Sequence, residues 1–363
     1  MAARHHLIEL TDRLWVRGAL HHSLQTVVRL EVGLGDQPDA VKDPYGTGQL
    51  QDLADGQRLP AGTRLRSMLD ERSGSRLLVI GEPGSGKTTH LLDLAEDQLA
   101  KARADETAPV PLVLLLSTWA GAPGGLAAWV CAEARQRYTI DATDMMTWLQ
   151  AGQVLLLLDG LDEVADRWRE ACLADVEAFC ADTRFSSCGL VITCRTREFR
   201  AFDRKVPVTR AVRVLPLSDD QVQQAFASGG PSLTALREAA MQDRVLAELL
   251  TTPLMLGVAV LAFARLEPGA RLPAGDHRQL LFGLYVRRML DRVRALRDSA
   301  DQPGPTRPPK PGETYYHLVW LARLMTRQGQ TIFYPDLLTP AWLPDRSPPW
   351  PLTRCCASLD VVM

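Results

Sequence analysis

The feature that most constrains this chain is a glycine-rich segment, residues 77–92, that joins a strand pattern to a helix pattern. Four apolar residues, 77–80, run directly into G-E-P-G-S-G-K-T at residues 81–88, and a helical pattern follows at once. This order satisfies G-x-x-x-x-G-K-[ST], in which exposed backbone N–H groups and the start of the helix together bind phosphate. The segment therefore predicts a phosphate-binding loop between a buried strand and a helix.

Each residue type in this loop suits a bound nucleotide. Its three glycines permit positive φ angles and leave space for phosphate oxygens. Lys87 can reach the β- and γ-phosphates, and the Thr88 hydroxyl can ligate Mg²⁺. An ordinary glycine-rich turn is the alternative, but the flanking strand and helix are the context that the motif requires. The predicted nucleotide-binding residues of the loop are Gly81, Glu82, Pro83, Gly84, Ser85, Gly86, Lys87, Thr88 and Thr89.

A second segment, V-L-L-L-L-D-G-L-D-E-V at residues 154–164, carries acidic residues directly after a buried-strand pattern. Asp159 ends that strand, where parallel sheets place ligand groups, so we predict that Asp159 and Thr88 hold the metal. Asp162 and Glu163 follow closely enough to position or deprotonate an attacking water, and we favour Glu163 as the catalytic base. Helix capping is the structural alternative for each carboxylate.

A further strand pattern, residues 189–195, ends in Arg195. A guanidinium at this edge of the sheet can bind the γ-phosphate and register its loss. Arg195 therefore joins Lys87, Asp162 and Glu163 as a predicted catalytic residue. The same guanidinium could equally form a salt bridge with Asp159 or Glu163.

Strand and helix patterns alternate through the first two thirds of the chain, which predicts an α/β fold with a doubly wound parallel sheet. The later strands are predicted at 111–117, 154–160 and 189–195, and the helices at 88–104, 125–138, 143–151 and 166–182. An all-helical domain is predicted from 218 to 297, with breaks at 229–231, 253 and 268–273. Outside these regions we predict amphipathic helices within 7–31, linkers at 33–48 and 301–312, and a helix at 315–327.

Composition narrows the class of partner. Apolar residues make up 46% of the chain and charged residues 23%, which is typical of a globular protein, and the net charge of −2 gives no sign of a nucleic-acid or membrane surface. The seven cysteines form no C-x-x-C pair, so reduced thiols in a cytoplasmic protein are the simplest account. The longest apolar run, residues 253–264, is too short to span a bilayer.

The two motifs together resemble a known family. GEPGSGKTT as the Walker A motif and LLLLDGLDEV as the Walker B motif are similar to those of the NACHT group of STAND-class P-loop NTPases. VITCR matches the sensor-1 position of that family at Arg195. TTPLML at 251–256 resembles its proline-containing motif near the nucleotide base, which adds Pro253 to the expected nucleotide-binding residues.

The resemblance implies a function. Members bind ATP or ADP with Mg²⁺, hydrolyse slowly, and act as switches that self-associate or engage an effector or sensor protein on activation; in bacteria they are associated with signal transduction and antiviral (anti-phage) defence. We therefore expect an ATPase, with GTP as the other nucleotide to consider. A nucleotide-binding interaction module without hydrolysis is the second hypothesis. A small-molecule P-loop kinase is the third, although no lid insertion is evident.

The resemblance also divides the chain into four parts. We expect an N-terminal helical arm and linker at 1–58, a NACHT P-loop NTPase α/β domain at 59–216 and a helical domain at 217–300. Residues 301–363 are expected to hold a proline-rich linker and the start of an incomplete winged-helix-like region. Since members usually continue through a complete winged-helix region, we expect a bacterial-type protein truncated after its first helical domain.

Overall fold

A computed structural model of the 363-residue chain describes most of the region that carries the motifs. The described residues are 2–20, 50–54, 56–60, 63–69, 74–121, 123–202, 208–228, 233–263, 277–299 and 311–327. The chain divides into two compact units, Met1–Asp301 and Gln302–Met363.

The centre of the first unit, in its described residues, is a six-stranded sheet. Its strands are β1 (Leu50–Asp52), β2 (Arg76–Gly81), β3 (Val110–Leu115), β4 (Val154–Asp159), β5 (Gly189–Arg195) and β6 (Arg210–Val214). The strand order is β1-β6-β2-β5-β4-β3, with β1 antiparallel to β6 and the other pairs parallel. Strand β5 therefore lies between β2, which leads into the glycine loop, and β4, which ends at Asp159.

Helices surround this sheet. They are α1 (Ala2–Thr11), α2 (Lys87–Ala104), α3 (Gly125–Tyr138), α4 (Ala142–Gln150), α5 (Asp166–Ala181) and α6 (Thr196–Ala201), with a π-helical segment, Asp12–Leu20, directly after α1. Every residue of β3 and β4 is buried, as expected for strands covered on both faces. The α/β class and the mainly parallel sheet that the sequence predicts are confirmed.

Two strands were not predicted from the sequence. Strand β1 has only three residues, and β6 carries arginines at 210 and 213, so neither has the continuous apolar run of β3 and β4. The helices predicted within 7–31 correspond to α1 and the π-helical segment as far as Leu20. Residues 21–31 and the predicted linker at 33–48 lie outside the described residues.

The N-terminal arm packs on the helix that follows the glycine loop. Arg4 donates hydrogen bonds to four backbone carbonyls at and beyond the C-terminal end of α2, at 2.8–3.2 Å. Asp12 is 7% exposed and forms ion pairs with Arg17 and Arg103, the latter on α2. These contacts make the arm part of the α/β core.

A helical region completes the described part of the first unit, in agreement with the prediction. It comprises α7 (Asp219–Ser228), α8 (Thr234–Gln242), α9 (Arg244–Leu250), α10 (Pro253–Phe263) and α11 (His277–Ser299). Every residue of α10 except Leu254 is buried, and α10 forms the centre of a second hydrophobic core. Pro253 marks the predicted break as the first residue of α10, a position that needs no N–H donor. The other predicted breaks, at 229–231 and 268–273, lie outside the described residues.

The second unit contributes one described helix, α12 (Pro311–Arg327), which begins four residues before the helix predicted at 315–327. Its first two residues fall within the predicted proline-rich linker. Proline is tolerated in the first turn of a helix, so Pro311 can begin α12. The remainder of that linker, and the chain after Arg327, lie outside the described residues.

The five cysteines in the described residues are reduced, as the sequence predicts. Cys131, Cys172, Cys180, Cys188 and Cys194 are buried and free, while Cys355 and Cys356 lie outside the described residues. Across the part of the chain that the structure describes, no single helix is long and apolar enough to cross a membrane. Helices α9 and α10 are long and apolar enough only when taken together, and the chain bends by 112° between them.

Candidate functional site

The glycine loop connects β2 to α2 and exposes its backbone through two residues with positive φ. Gly84 has φ of 75°, and Gly86, which precedes the first residue of α2, has φ of 97°. An L-residue with a side chain is strained at both angles. The turn directs the chain from the end of β2 into the N-terminus of α2, whose unpaired N–H groups and dipole favour an anion.

Lys87 is the first residue of α2 and folds its side chain back over the loop. Its Nζ donates to the carbonyl oxygens of Gly81 at 2.9 Å and Glu82 at 3.0 Å. An ammonium has three donors, so these bonds leave one for a phosphate oxygen. Burial lowers the pKa of Lys87, whereas the nearby carboxylates, Asp162 foremost, act to raise it.

Thr88, Asp159 and Thr193 form a hydrogen-bonded group across three neighbouring elements. Thr88 Oγ1 donates to Asp159 Oδ2 at 2.8 Å, and Thr193 Oγ1 donates to Asp159 Oδ1. Thr193 also accepts a hydrogen bond from the Gly160 N–H at 2.8 Å. Asp159 is 8% exposed, and burial raises its pKa against the opposing effect of the two hydroxyls and Lys87. Both carboxylate oxygens are thereby fixed at the end of β4.

The pair formed by Thr88 and Asp159 fits a magnesium ion. Mg²⁺ prefers oxygen ligands and in nucleotide sites takes one or two from the protein, with the others supplied by phosphate and water. The hydroxyl and the carboxylate lie within one hydrogen bond of each other, so both can reach the same ion. Among the described residues, no group of three or more His, Cys, Asp or Glu side chains could hold a metal alone.

Asp162 and Arg195 form an ion pair at the end of β5. Arg195 Nε lies 2.8 Å from Asp162 Oδ2, and the backbone N–H of Arg195 donates to Asp162 Oδ1 at 3.0 Å. The Asp162 side chain is 5% exposed and that of Arg195 is 37% exposed. The sequence suggests Asp159 or Glu163 as the partner of Arg195 in a salt bridge, whereas the ion pair in the structure is with Asp162.

Glu163 lies in a short 3₁₀ turn, Leu161–Glu163, that follows Gly160. Gly160 has φ of 79°, and a β-carbon there would lie 3.0 Å from Glu163 Cδ. Glycine at 160 therefore lets the chain turn and lets the Glu163 side chain lie against the backbone.

The helical region reaches the glycine loop through the start of α10. The N–H of Leu254 donates to the Gly84 carbonyl at 3.2 Å, and Leu254 and Thr252 side-chain atoms lie within 3.1 Å of where a β-carbon on Gly84 would be. The Leu217 N–H donates to the Thr251 carbonyl at 2.7 Å, which anchors the same segment. Pro253, expected near the bound base, begins α10 beside these contacts.

One cavity of about 410 Å³ brings most of the predicted residues together. It is lined by Pro83, Gly84, Gly86, Lys87, Thr88, Thr89, Asp159, Gly160, Asp162, Glu163, Thr193, Arg195, Pro253 and Leu254. Three predicted residues do not line it: Gly81 and Glu82 contribute carbonyls to Lys87, and Ser85 is buried in the loop. Their assignment as nucleotide-binding residues stays a prediction.

Thr193 and Leu254 line the cavity with their side chains and were not predicted from the sequence. Thr193 is two residues before Arg195, and residues i and i+2 of a strand share a face, so its position was available from the strand pattern. Leu254 approaches the cavity only because α10 packs against the glycine loop, a tertiary contact that no local pattern indicates.

The sheet, the glycine loop and the acidic strand end fit the α/β fold of a P-loop NTPase. In agreement with this class, the model of the NACHT domain family matches residues 75–229, which is less than half of the chain. This region of the chain is therefore similar to a family of nucleotide-binding NTPases. No curated protein matched the chain.

Proposed function

We propose that the chain is a Mg²⁺-dependent nucleoside triphosphatase that binds ATP, hydrolyses it slowly and acts as a nucleotide-controlled signalling switch. The observation that carries the proposal is the cavity in which the hydrogen-bonded pair of Thr88 and Asp159 shares the walls with Lys87, Glu163 and Arg195. Together these residues supply oxygen ligands for a metal, cations for phosphate and a carboxylate for water. Phosphoryl transfer to water needs these three parts.

Each residue has a role in the proposed reaction. The loop N–H groups and Lys87 bind the β- and γ-phosphates, and Arg195 binds oxygens of the γ-phosphate. Glu163 accepts a proton from the water that attacks the γ-phosphorus, while the bond to the bridging oxygen breaks and leaves ADP and inorganic phosphate. Thr88 and Asp159 would hold Mg²⁺, which when bound neutralises charge on the β- and γ-phosphates.

The surface proposed to contact the purine base of the nucleotide is apolar. Pro253 and Leu254 line the cavity at the start of α10 and offer a surface on which a purine can lie. We propose adenine as the base, from the resemblance to NACHT proteins, with Pro253 as its contact.

The first experiment identifies whatever nucleotide the protein already holds. The full chain is purified without added nucleotide and denatured, and the released nucleotide is identified by chromatography; Lys87→Ala is the test variant. Lys101→Ala removes the same charge elsewhere on α2 and serves as the matched control. Stoichiometric ADP in wild type and Lys101→Ala, but not in Lys87→Ala, supports the proposal. Protein that is empty and fails to bind added Mg-ATP contradicts it.

A second candidate is a nucleotide-binding interaction module that does not hydrolyse. The Leu254 contact favours this second candidate, because a helical region in contact with the glycine loop can respond to nucleotide binding without hydrolysis. Single-turnover assays with radiolabelled ATP separate the two candidates. Release of inorganic phosphate that depends on Glu163 supports the NTPase, and bound but intact ATP supports the module.

The switch itself has an energetic requirement. Moving a two-state protein from 1:99 to 99:1 takes about 5.5 kcal/mol of differential affinity. Contacts of Lys87, Arg195 and a metal ion with the γ-phosphate, which ADP lacks, are the proposed source. From the resemblance alone, we extend the proposal to self-association or effector contact on activation and to bacterial antiviral defence.

A further inference from the structure

The side chain of Asp162 directs both oxygens at one residue. Its Oδ1 accepts the backbone N–H of Arg195, and its Oδ2 accepts Nε of the same residue. The carboxylate is 5% exposed, so it lies below the surface of the cavity wall. A general base needs an oxygen directed at a water molecule, and these contacts of Asp162 serve Arg195 instead.

The contact fixes Arg195 at two points. The bond to the backbone N–H holds the end of β5, and the bond to Nε sets the direction of the guanidinium. A guanidinium carries five N–H donors, and Nε accounts for one. The four on the terminal nitrogens form the planar fork that suits phosphate oxygens.

The charges around Asp162 agree with this arrangement. The Asp162 carboxylate and the Arg195 guanidinium form an ion pair at 2.8 Å, so Asp162 acts as the counter-ion of Arg195. Asp159 is a separate carboxylate, engaged by Thr88 and Thr193.

We propose that Asp162 is a positioning residue that orients Arg195 toward the γ-phosphate, and so sets the preference of the site for ATP over ADP. This inference rests on the proposed nucleotide-binding function. Because Nε and the backbone N–H are held, the terminal nitrogens of Arg195 are presented without a further loss of side-chain freedom when ATP binds. Glu163 keeps its role as the proton acceptor for water in the proposed reaction.

Removal of the Asp162 carboxylate should change the preference for ATP over ADP in opposite directions, depending on whether Asp162 orients Arg195 or acts only as a nearby charge. If Asp162 acted only as a nearby negative charge, its removal would relieve repulsion and tighten ATP binding more than ADP binding. If it orients Arg195, its removal weakens ATP binding relative to ADP. Damage to the fold lowers the affinity for both nucleotides together, so the ratio of the two dissociation constants reports the positioning role.

The experiment uses the full chain with Glu163→Gln, which keeps ATP intact, and titrates Mg-ATP and Mg-ADP by calorimetry. Asp162→Asn and Arg195→Ala are added singly and together. We expect Asp162→Asn to lower the ATP preference by about tenfold, the range of a charge-assisted hydrogen bond. We expect the double variant to equal Arg195→Ala, because the two residues act as one unit.

A second variant tests the contact between Asp162 and Arg195 by changing the arginine. Arg195→Lys keeps the charge but has no Nε, so we expect a lowered ATP preference that Asp162→Asn does not lower further. An unchanged or raised ATP preference in Asp162→Asn, or losses that multiply in the double variants, overturns the inference. Failure of the Glu163→Gln parent to bind either nucleotide overturns the proposed function, and this inference with it.

Discussion

Leu254 lies directly over Gly84 of the glycine loop. Its N–H donates to the Gly84 carbonyl at 3.2 Å, and its Cβ is 2.9 Å from the position that a β-carbon on Gly84 would take. The helical region and the α/β core therefore meet at a loop residue that lines the cavity. A change in the position of α10 would therefore act directly on the glycine loop.

Gly84→Ala should destabilise the protein by more than backbone strain alone. The φ of 75° costs an alanine about 1–2 kcal/mol, and the contact with Leu254 adds to it. Gly56→Ala is a matched control, since Gly56 has φ of 72° and a β-carbon there would meet nothing within 4 Å. We expect the larger fall in Tm for Gly84→Ala, measured by calorimetry, and equal falls would contradict the contact.

Glu163→Gln should bind ATP as wild type does and lose hydrolysis. The amide keeps the size of the carboxylate but accepts a proton poorly, and general base catalysis contributes typically about 10²–10⁴-fold to a rate. Single-turnover phosphate release measures the effect, with exposed Glu170→Gln on α5 as the control. Unchanged turnover in Glu163→Gln would refute its assignment as the base.

Tyr138→Phe should destabilise the core by about 1–3 kcal/mol. The fully buried hydroxyl donates to the Val113 carbonyl at 2.6 Å and accepts from Trp15 Nε1 at 2.8 Å, so its removal leaves two polar groups without this partner. Tyr285→Phe is the control, because Tyr285 is half-buried and its hydroxyl has no hydrogen bond among the described residues. Chemical denaturation of both variants tests the difference.

Asp52→Asn should change the pH dependence of stability. A hydrogen bond from the Ala54 N–H is the main reason that the pKa of Asp52 lies below its ordinary value of 3.8. The hydrogen bond and the charge of Arg210 on β6 lower it further. A carboxyl whose folded pKa is depressed contributes stability that is present above 3.8 and lost as pH falls through the folded value.

The difference in Tm between wild type and Asp52→Asn should therefore be constant from neutral pH down to about 5 and vanish at lower pH. Exposed Asp220→Asn provides the comparison. A difference that persists at a pH of about 2 would show that the ionised carboxylate of Asp52 is not its source.

The sequence predicted the central strands and their helices because the signals there are local. Strand β4 is a continuous apolar run that stops at Asp159, and α3 was predicted with its observed limits, Gly125–Tyr138. Strand β6 depends on its neighbours, since it includes Arg210 and Arg213, buries only Val212 and Val214, and is held between β1 and β2. Its assignment needs the fold.

The sequence predicts which residues form the site, but not all of the contacts between them. The motifs place Lys87, Thr88, Asp159, Glu163 and Arg195 at strand or helix ends, and the structure brings all five to one cavity. Which carboxylate pairs with Arg195 depends on the 3₁₀ turn after Gly160, whose direction a sequence pattern does not determine. The approach of Leu254 depends in the same way on the packing of α10.

Strand β5 carries two of the groups that the cavity depends on. Thr193 fixes the carboxylate of Asp159, and Arg195 ends the strand two residues later, about 7 Å further along an extended backbone. An extended backbone resists stretching, so these two positions keep a constant separation. A sliding movement of β5 against its neighbours would therefore disturb both the carboxylate proposed to hold the metal and the guanidinium proposed to bind phosphate, because the strand links them rigidly.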